Sequence, residues 1–363
     1  MNSIELNLFS IEGTGPSAIA LSYFLSGHVP YWNGCPVSND ILNVKLEEFV
    51  KDRSLFDQVR ERNEFLRSSH FLVSFISFVK KKDFEFLSEG LEGHSPSPIG
   101  LLFDHLMHPD ADLGADLQSK LKWRDEPSTA VEHVCLGLTG IGGRWHRLRS
   151  EHFQTVTMTN RMELPNYSFS LFRQQRRVDR TRNSQRATYD EVRAYFIHYV
   201  KRFGLKNFFR TGCRVTSIER VSSHWQIRGF DENQEKHFFI CAKFLVLATG
   251  ISESITRPLS CLGEETIHSL TYTNPLDIED LIIRQKKLNE MSQPLLVVGF
   301  GPTAIDVILL CDRYSIPILH VFRRSIDDPE LILNRYSSCI YPEYDRVRDL
   351  IRNSPTSVRN LNN

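Results

Sequence analysis

Hydrophobic and polar positions along this chain change period several times, and each change marks an element. From Asp190 to Phe203, Val192, Tyr195, Phe196, Tyr199 and Val200 fall at helical spacing, with Gly204 as a stop. Alternation of period two then takes over. Arg214–Val221, Trp225–Phe230 and Lys236–Cys241 read as a small β-meander, with Asp231-Glu232-Asn233 as one turn. The run Lys243 to Gly250 reads as a further, buried strand that ends in Ala-Thr-Gly. Pro294–Val298 reads as a buried parallel strand, Thr303–Arg313 as the helix after it and Ile316–Phe322 as a second strand. Near the N-terminus, Leu21 and its neighbours continue a helix that opens after Gly15.

Two of these strand-to-helix junctions carry the same glycine pattern, Gly13-Thr14-Gly15-Pro16-Ser17-Ala18 and Gly299-Phe300-Gly301-Pro302-Thr303-Ala304. The first glycine of such a pattern allows the tight turn, the second lets backbone approach a pyrophosphate, and the small third residue lets the helix sit on the strand. The helix N-terminus then faces the phosphates. One such pattern is weak; two in the same context point to two dinucleotides, a flavin and a nicotinamide. The second unit ends in Arg323-Arg324, where the residue that reads the ribose 2′ position belongs. An NAD site would place a carboxylate there, whereas two guanidiniums suit a 2′-phosphate, so NADPH is expected. The bland alternative is two solvated arginines at a strand end. Glu12, directly before Gly13, is anomalous: a carboxylate there opposes a pyrophosphate, so it should turn to solvent, or residues 1–12 come from a misassigned exon.

Composition narrows the picture without changing it. The 363 residues are 41% hydrophobic, and Lys plus Arg equals Asp plus Glu at 44 each, so no global field favours nucleic acid or an anionic membrane. Seven cysteines without a C-x-x-C pair argue against a disulfide framework, a zinc knuckle or a dithiol centre, and place the chain in the cytosol or nucleus. No secretory signal is visible, and the longest apolar run, Phe71 to Val79, is too short to span a bilayer. His105, His108 and His133 lack metal-ligand spacing and read as structural, so no metal site is expected. The arginines at 173, 176, 177, 180, 182 and 186 read as a solvated loop, with an interaction surface or nuclear signal as the alternative.

Taken together, these motifs resemble the flavin-dependent monooxygenases, in which an NADPH domain is inserted into an FAD domain. Gly140-Ile141-Gly142-Gly143-Arg144-Trp145 resembles the G-G-x-W segment that those enzymes place against the flavin, and Asn160 falls near an asparagine they keep close to flavin and nicotinamide; a buried structural Asn is equally compatible. Their signature F-x-G-x-x-x-H-x-x-x-[YF] is degraded: His268 and Tyr272 fit, but Leu262 and Glu264 stand at the Phe and Gly places. Over nearly the whole chain, a nearer resemblance is to the oxidative stress-induced growth inhibitor family. It rests on Gly15-Pro16-Ser17 with Leu21 to Gly27, Phe86 to Gly93, Pro98 to Asp104 with Pro109-Asp110, and Asp328-Pro329 through Tyr341-Pro342-Glu343-Tyr344.

The resemblance implies an α/β protein of two Rossmann-type domains: residues 1–255 for FAD, including the meander, residues 256–350 for NADPH, and a disordered tail over 351–363. It implies FAD held by Gly13, Gly15, Ser17, Ala18, Gly143, Arg144, Trp145, Thr249 and Gly250, and NADPH held by Gly299, Gly301, Thr303, Ala304, Arg323 and Arg324. Monooxygenase-like chemistry on an unknown small molecule would follow, linked to restraint of growth and to cell division through protein partners. Oxygen chemistry carried by a flavin needs no protein nucleophile, so the lack of a Ser-His-Asp arrangement is no objection. The competing reading is a catalytically impaired regulatory protein that keeps the fold. Val59 to Lys82 has no counterpart in the family pattern and reads as a retained intron or a partner-binding loop, and the family pattern continues past Asn363, so the closing piece of the FAD domain is expected to be missing.

Overall fold

β1 (Glu5–Glu12) is the axis of the fold because both of its edges are occupied by parallel strands. The computed structural model describes residues 5–56, 82–93, 95–111, 115, 117–148, 150, 152–176, 185–250, 275–287 and 294–353. The Val59–Lys82 stretch apart from its last residue, His268, Tyr272 and the tail beyond Asn353 lie outside them, as do Arg177, Arg180 and Arg182. From β1 the chain enters a helix, Pro16–Leu25, then β2 (His28–Trp32), which pairs antiparallel with β3 (Leu121–Asp125) in a sheet of their own. β4 (His133–Gly137) returns beside β1, with β5 (Phe209–Thr211) parallel on its outer edge. β6 (Cys213–Val221), β7 (His224–Asp231) and β8 (Lys236–Leu247) form the antiparallel meander, so the six-stranded sheet runs β5-β4-β1-β8-β7-β6.

Two readings need correction. The expected strands at 236–241 and 243–250 are one strand, because its first half pairs with β7 while its second half pairs with β1. Nor is that second half fully buried: Lys243 and Leu247 are exposed. The alternation in β1 nonetheless buries both faces. Phe9 and Ile11 pack with Ala18 and Leu25 of the helix and Cys135 of β4, so the small residue at position 18 is what lets the helix lie on the strand.

The helix Tyr189–Arg202 buries the five residues its periodicity picked out, and Gly204 ends it in the left-handed conformation. Its tyrosines also work as donors. Tyr195 Oη donates to the Tyr167 carbonyl at 2.6 Å and accepts from the Leu164 amide at 2.8 Å, and Tyr199 Oη donates to the Pro165 carbonyl at 2.8 Å. Buried phenols satisfied in this way fix the 164–167 turn to the helix.

The chain divides into two compact units: residues 1–147, 157–181 and 191–251 in the first, and 148–156, 182–190 and 252–363 in the second. A single cut near 255 misses the two short excursions that belong to the second unit. In that unit, β9 (Leu295–Val298) and β10 (Ile318–Val321) are parallel neighbours joined by the helix Pro302–Tyr314, the β-α-β arrangement of a Rossmann unit. They are not buried on both faces, as their apolar runs suggest. Val297 packs against Ile305, Ile308 and Cys311 of the helix, while Leu296, Val298, Leu319 and Val321 are exposed.

The excursions explain a further correction. Arg186 is not a solvated arginine: it is buried, donates from Nε to the Thr155 carbonyl, pairs with the Glu343 carboxylate and lies 4.4 Å from the Tyr341 ring. Arg173, by contrast, stays near the surface and pairs with Glu191.

Candidate functional site

At the C-terminal end of β1 three loops converge, and the glycines state how closely. The Gly13 amide donates to the Leu136 carbonyl of β4 at 2.6 Å, and the Ala248 amide donates to the Glu12 carbonyl at 2.9 Å, so β4 and β8 both deliver their ends to this point. Gly13 has φ +148°, and a Cβ there would stand 2.2 Å from the Ala248 carbonyl oxygen. Only glycine fits such a position. The turn Gly140–Trp145 closes from the third side: the Gly142 amide donates to the Thr14 carbonyl at 2.8 Å, and a Cβ on Gly143 would come within 2.9 Å of Gly15 Cα. Phe196 of the Tyr189–Arg202 helix backs this turn, 3.5 Å from where a Gly142 side chain would begin.

The structure thus brings together Gly13, Gly15, Gly143 and Ala248, with Thr249 and Gly250 following Ala248 in the chain and Arg144, Trp145, Ser17 and Ala18 at the openings of their helices. Gly15 is the extended N-cap of the first helix, with Pro16 after it and no side-chain cap. The first-turn amides are therefore unsatisfied by side chains and face whatever lies before the helix. Among the described residues, a Cβ on Gly15 would meet only Gly143 Cα at 4.0 Å, and one on Gly250 would meet nothing within 4 Å. Backbone pressed tightly behind and open in front is the cradle that a pyrophosphate requires. Asn160, in the short turn Thr159–Arg161, makes no hydrogen bond to the three loops, and its Oδ1 is buried without a partner. An orphaned buried acceptor of this kind is available to a ligand's donor.

Glu12 does not turn to solvent. It is 3% exposed, accepts from Ser10 Oγ at 3.1 Å, and burial pushes its pKa up to about 7, with the Ser10 bond opposing the rise. The strand it ends pairs in register on both sides, Glu12 opposite Leu136 and Leu247, so residues 5–12 are the centre of the sheet. A neutral, hydrogen-bonded carboxyl is the form that such a site tolerates.

The second fingerprint repeats the first. The Gly299 amide donates to the Val321 carbonyl at 2.8 Å, Gly299 has φ +99°, and Gly301 is an extended N-cap followed by Pro302, again without a side-chain cap. Among the described residues nothing lies within 4 Å of a Cβ on either glycine. Thr303 is exposed and Ala304 buried on β9. Arg323 and Arg324 are exposed beyond β10, Arg324 pairing with Asp328 at 3.2 Å.

The sequence shares 33% identity with oxidative stress-induced growth inhibitor 2 of Homo sapiens over 96% of this chain and 69% of that protein, and 33% with oxidative stress-induced growth inhibitor 1 of Mus musculus over 94% and 68%. The chain belongs to the oxidative stress-induced growth inhibitor family. No family model matches it. Among solved structures it is similar to the bacillithiol disulfide reductase Bdr (YpdA) from Bacillus cereus (TM-score 0.47, 12% identity, 96% of this chain and 66% of that one) and to the ornithine hydroxylase PvdA from Pseudomonas aeruginosa (TM-score 0.43, 14% identity, 97% and 66%). The chain spans about two thirds of the length of each of these relatives.

In this growth inhibitor family member, two residues beside the fingerprints escaped the motif reading. Thr14, the variable residue between the first two glycines, is buried, and its hydroxyl faces Thr139 and Gly140. His320 donates from Nε2 to the Gly299 carbonyl at 2.8 Å, within an aromatic group of Phe300 and Phe322, and burial lowers its pKa. Both sit in motif-neighbouring positions whose alternation was visible, but variable positions carry no signal of their own. Among the described residues no cluster of His, Cys, Asp or Glu could hold a metal, and no helix is long and apolar enough to cross a membrane. His133 is structural: its ring bonds Ser22 and the Val131 carbonyl and stacks on Phe208.

Proposed function

We propose that this chain is a flavin-dependent oxidoreductase of monooxygenase type, with FAD at the junction of the Gly13–Ala18, Gly140–Trp145 and Ala248–Gly250 loops and NADPH at Gly299–Ala304 with Arg323 and Arg324, acting on a small molecule in the restraint of growth under oxidative stress. The observation that carries it is the convergence of three glycine-bearing loops on one uncapped helix N-terminus, closed behind and open in front. Flavin would supply hydride acceptance from the nicotinamide and activation of oxygen. The chain's own residues bind and orient. Amides of the first helical turn would hold the pyrophosphate, Gly143 brings the Trp145 turn against Gly15, and the buried Ala18 and Ala304 seat each helix on its strand. Arg323 and Arg324 offer guanidiniums to a 2′-phosphate.

The test is the visible spectrum of the purified chain, before and after FAD and then NADPH. Flavin bands at about 450 nm that bleach with NADPH through hydride delivery to bound cofactor are the expected result. A colourless chain that retains no FAD overturns the reading and favours the regulatory alternative, for which the buried Glu12 beside Gly13 is the specific observation: once ionised, it repels a pyrophosphate.

A further inference from the structure

We propose that Thr14 is a positioning residue of the first dinucleotide site, its hydroxyl locking the Gly140–Trp145 turn at the distance from the Gly13–Ala18 loop that a pyrophosphate needs. The proposal rests on the FAD reading above and goes beyond it by assigning a role to the variable residue between the first two glycines. Thr14 is 2% exposed. Its Oγ1 donates to the Gly140 carbonyl at 3.1 Å and lies 3.3 Å from both the Thr139 carbonyl and Thr139 Oγ1, while its own carbonyl accepts from the Gly142 amide at 2.8 Å. Its methyl sits over Gly137, where a Cβ would come within 2.7 Å of Thr14 Cγ2. Side chain and backbone of one residue therefore clasp the turn from both ends, at residues 139–140 and at residue 142.

The turn needs a clasp. Gly142 and Gly143 hold φ +101° and +60°, and paired glycines are the most expensive residues to immobilise. The restraint is a hydroxyl that two carbonyls compete for. The second fingerprint shows the contrast. There the equivalent residue is Phe300, whose ring packs at a tilt against His320 and Phe322, centroids 5.1 and 4.7 Å apart, and has no hydroxyl to bond a neighbouring turn. A polar clasp goes with the fingerprint that has a second glycine loop to hold.

Three variants separate positioning from bulk. Thr14→Val keeps the shape and the methyl over Gly137 but removes the hydroxyl; Thr14→Ser keeps the hydroxyl and removes the methyl; Thr14→Ala is a second hydroxyl-free variant that cannot clash if valine impairs folding. FAD affinity is measured by flavin fluorescence titration of the full chain, and amide exchange across residues 138–146 is measured without flavin. The expected result is an FAD Kd raised about tenfold in Thr14→Val and Thr14→Ala, the loss of roughly one buried hydrogen bond, with Thr14→Ser returned to within about threefold of the parent. Exchange at 138–146 rises in the hydroxyl-free variants and stays at the parent rate in Thr14→Ser. If the parent binds FAD and Thr14→Val and Thr14→Ala bind it equally well, or Thr14→Ser behaves like them, Thr14 positions nothing. A parent chain that takes up no FAD overturns the site itself, and this proposal with it, so the two failures are told apart.

Discussion

Gly143 and Gly90 hold similar left-handed conformations, φ +60° and +79°, but among the described residues only Gly143 has a neighbour where its side chain would be. Alanine at Gly90 meets nothing within 4 Å among the described residues, so its expected cost is the conformational one, about 1 kcal/mol. Alanine at Gly143 adds a clash with Gly15 backbone at 2.9 Å, which no rotamer relieves, and should cost about 2–3 kcal/mol in all. The two loops must then separate, so Gly143→Ala is expected to lose FAD binding while Gly90→Ala keeps it. Denaturant unfolding and flavin titration on the pair check this. Equal losses of stability, with FAD binding retained in both, would show that close approach of these loops is not what the glycine provides.

Among elements, the most consequential contact is one that periodicity could not show. Arg186 ties the bridged segments around Thr155 and Thr188 to the helix Pro342–Arg352, through the Thr155 carbonyl, the Glu343 carboxylate and the Tyr341 ring. Removing one partner of a buried ion pair is costly because the other charge is left behind, and Glu343 keeps enough solvent contact to soften this to about 3 kcal/mol. Arg186→Met should lower unfolding free energy by that amount, and Glu343→Gln in the same background should recover part of it. A loss under about 1 kcal/mol would mean that the pair contributes no more than a surface bridge.

The contrast with what was legible is physical. The second fingerprint's strands and helix, the Tyr189–Arg202 helix and the first two strands of the meander are specified by short-range period and glycine placement and fall within a residue or two of the pattern, whereas the last meander strand, split in two by the pattern, is one strand because it changes partners along its length. The antiparallel β2–β3 pair and the burial of Arg186 depend on partners far along the chain, so local pattern is silent on them. At the site, the glycines were visible because their lack of a side chain is itself the signal. Thr14 and Glu12 depend on what faces them: each reads as an ordinary or misplaced polar residue until the sheet closes around it.

At the scale of the molecule, each compact unit carries a carboxyl that burial has pushed up to about 7, Glu12 in the first and Asp306 in the second, where nearby Arg186 opposes the rise and Glu343 adds to it. The ordinary values are 4.5 and 3.8, so the folded chain binds these two protons more tightly than the unfolded chain does. Stability from this source is fully present at low pH and is lost as pH rises from the unfolded values through about 7, the reverse of the usual carboxylate. Each group accounts for a loss on the order of 2–3 kcal/mol, after allowance for the solvent each retains. Buried His133 and half-buried His320, whose pKa values burial lowers, act with the opposite sign, so the parent profile alone does not isolate the effect. Difference curves do. Denaturant unfolding between pH 5 and 8 should show Glu12→Gln and Asp306→Asn gaining stability relative to the parent as pH rises, each gain levelling off above about pH 7. Glu12→Gln should also flatten the pH dependence of FAD affinity, because an uncharged amide beside Gly13 presents the same face to a pyrophosphate at every pH, while Asp306→Asn should leave that dependence unchanged. A Glu12→Gln curve parallel to the parent's in both measurements would mean that the carboxyl is already ionised at pH 5 and that its burial carries no proton.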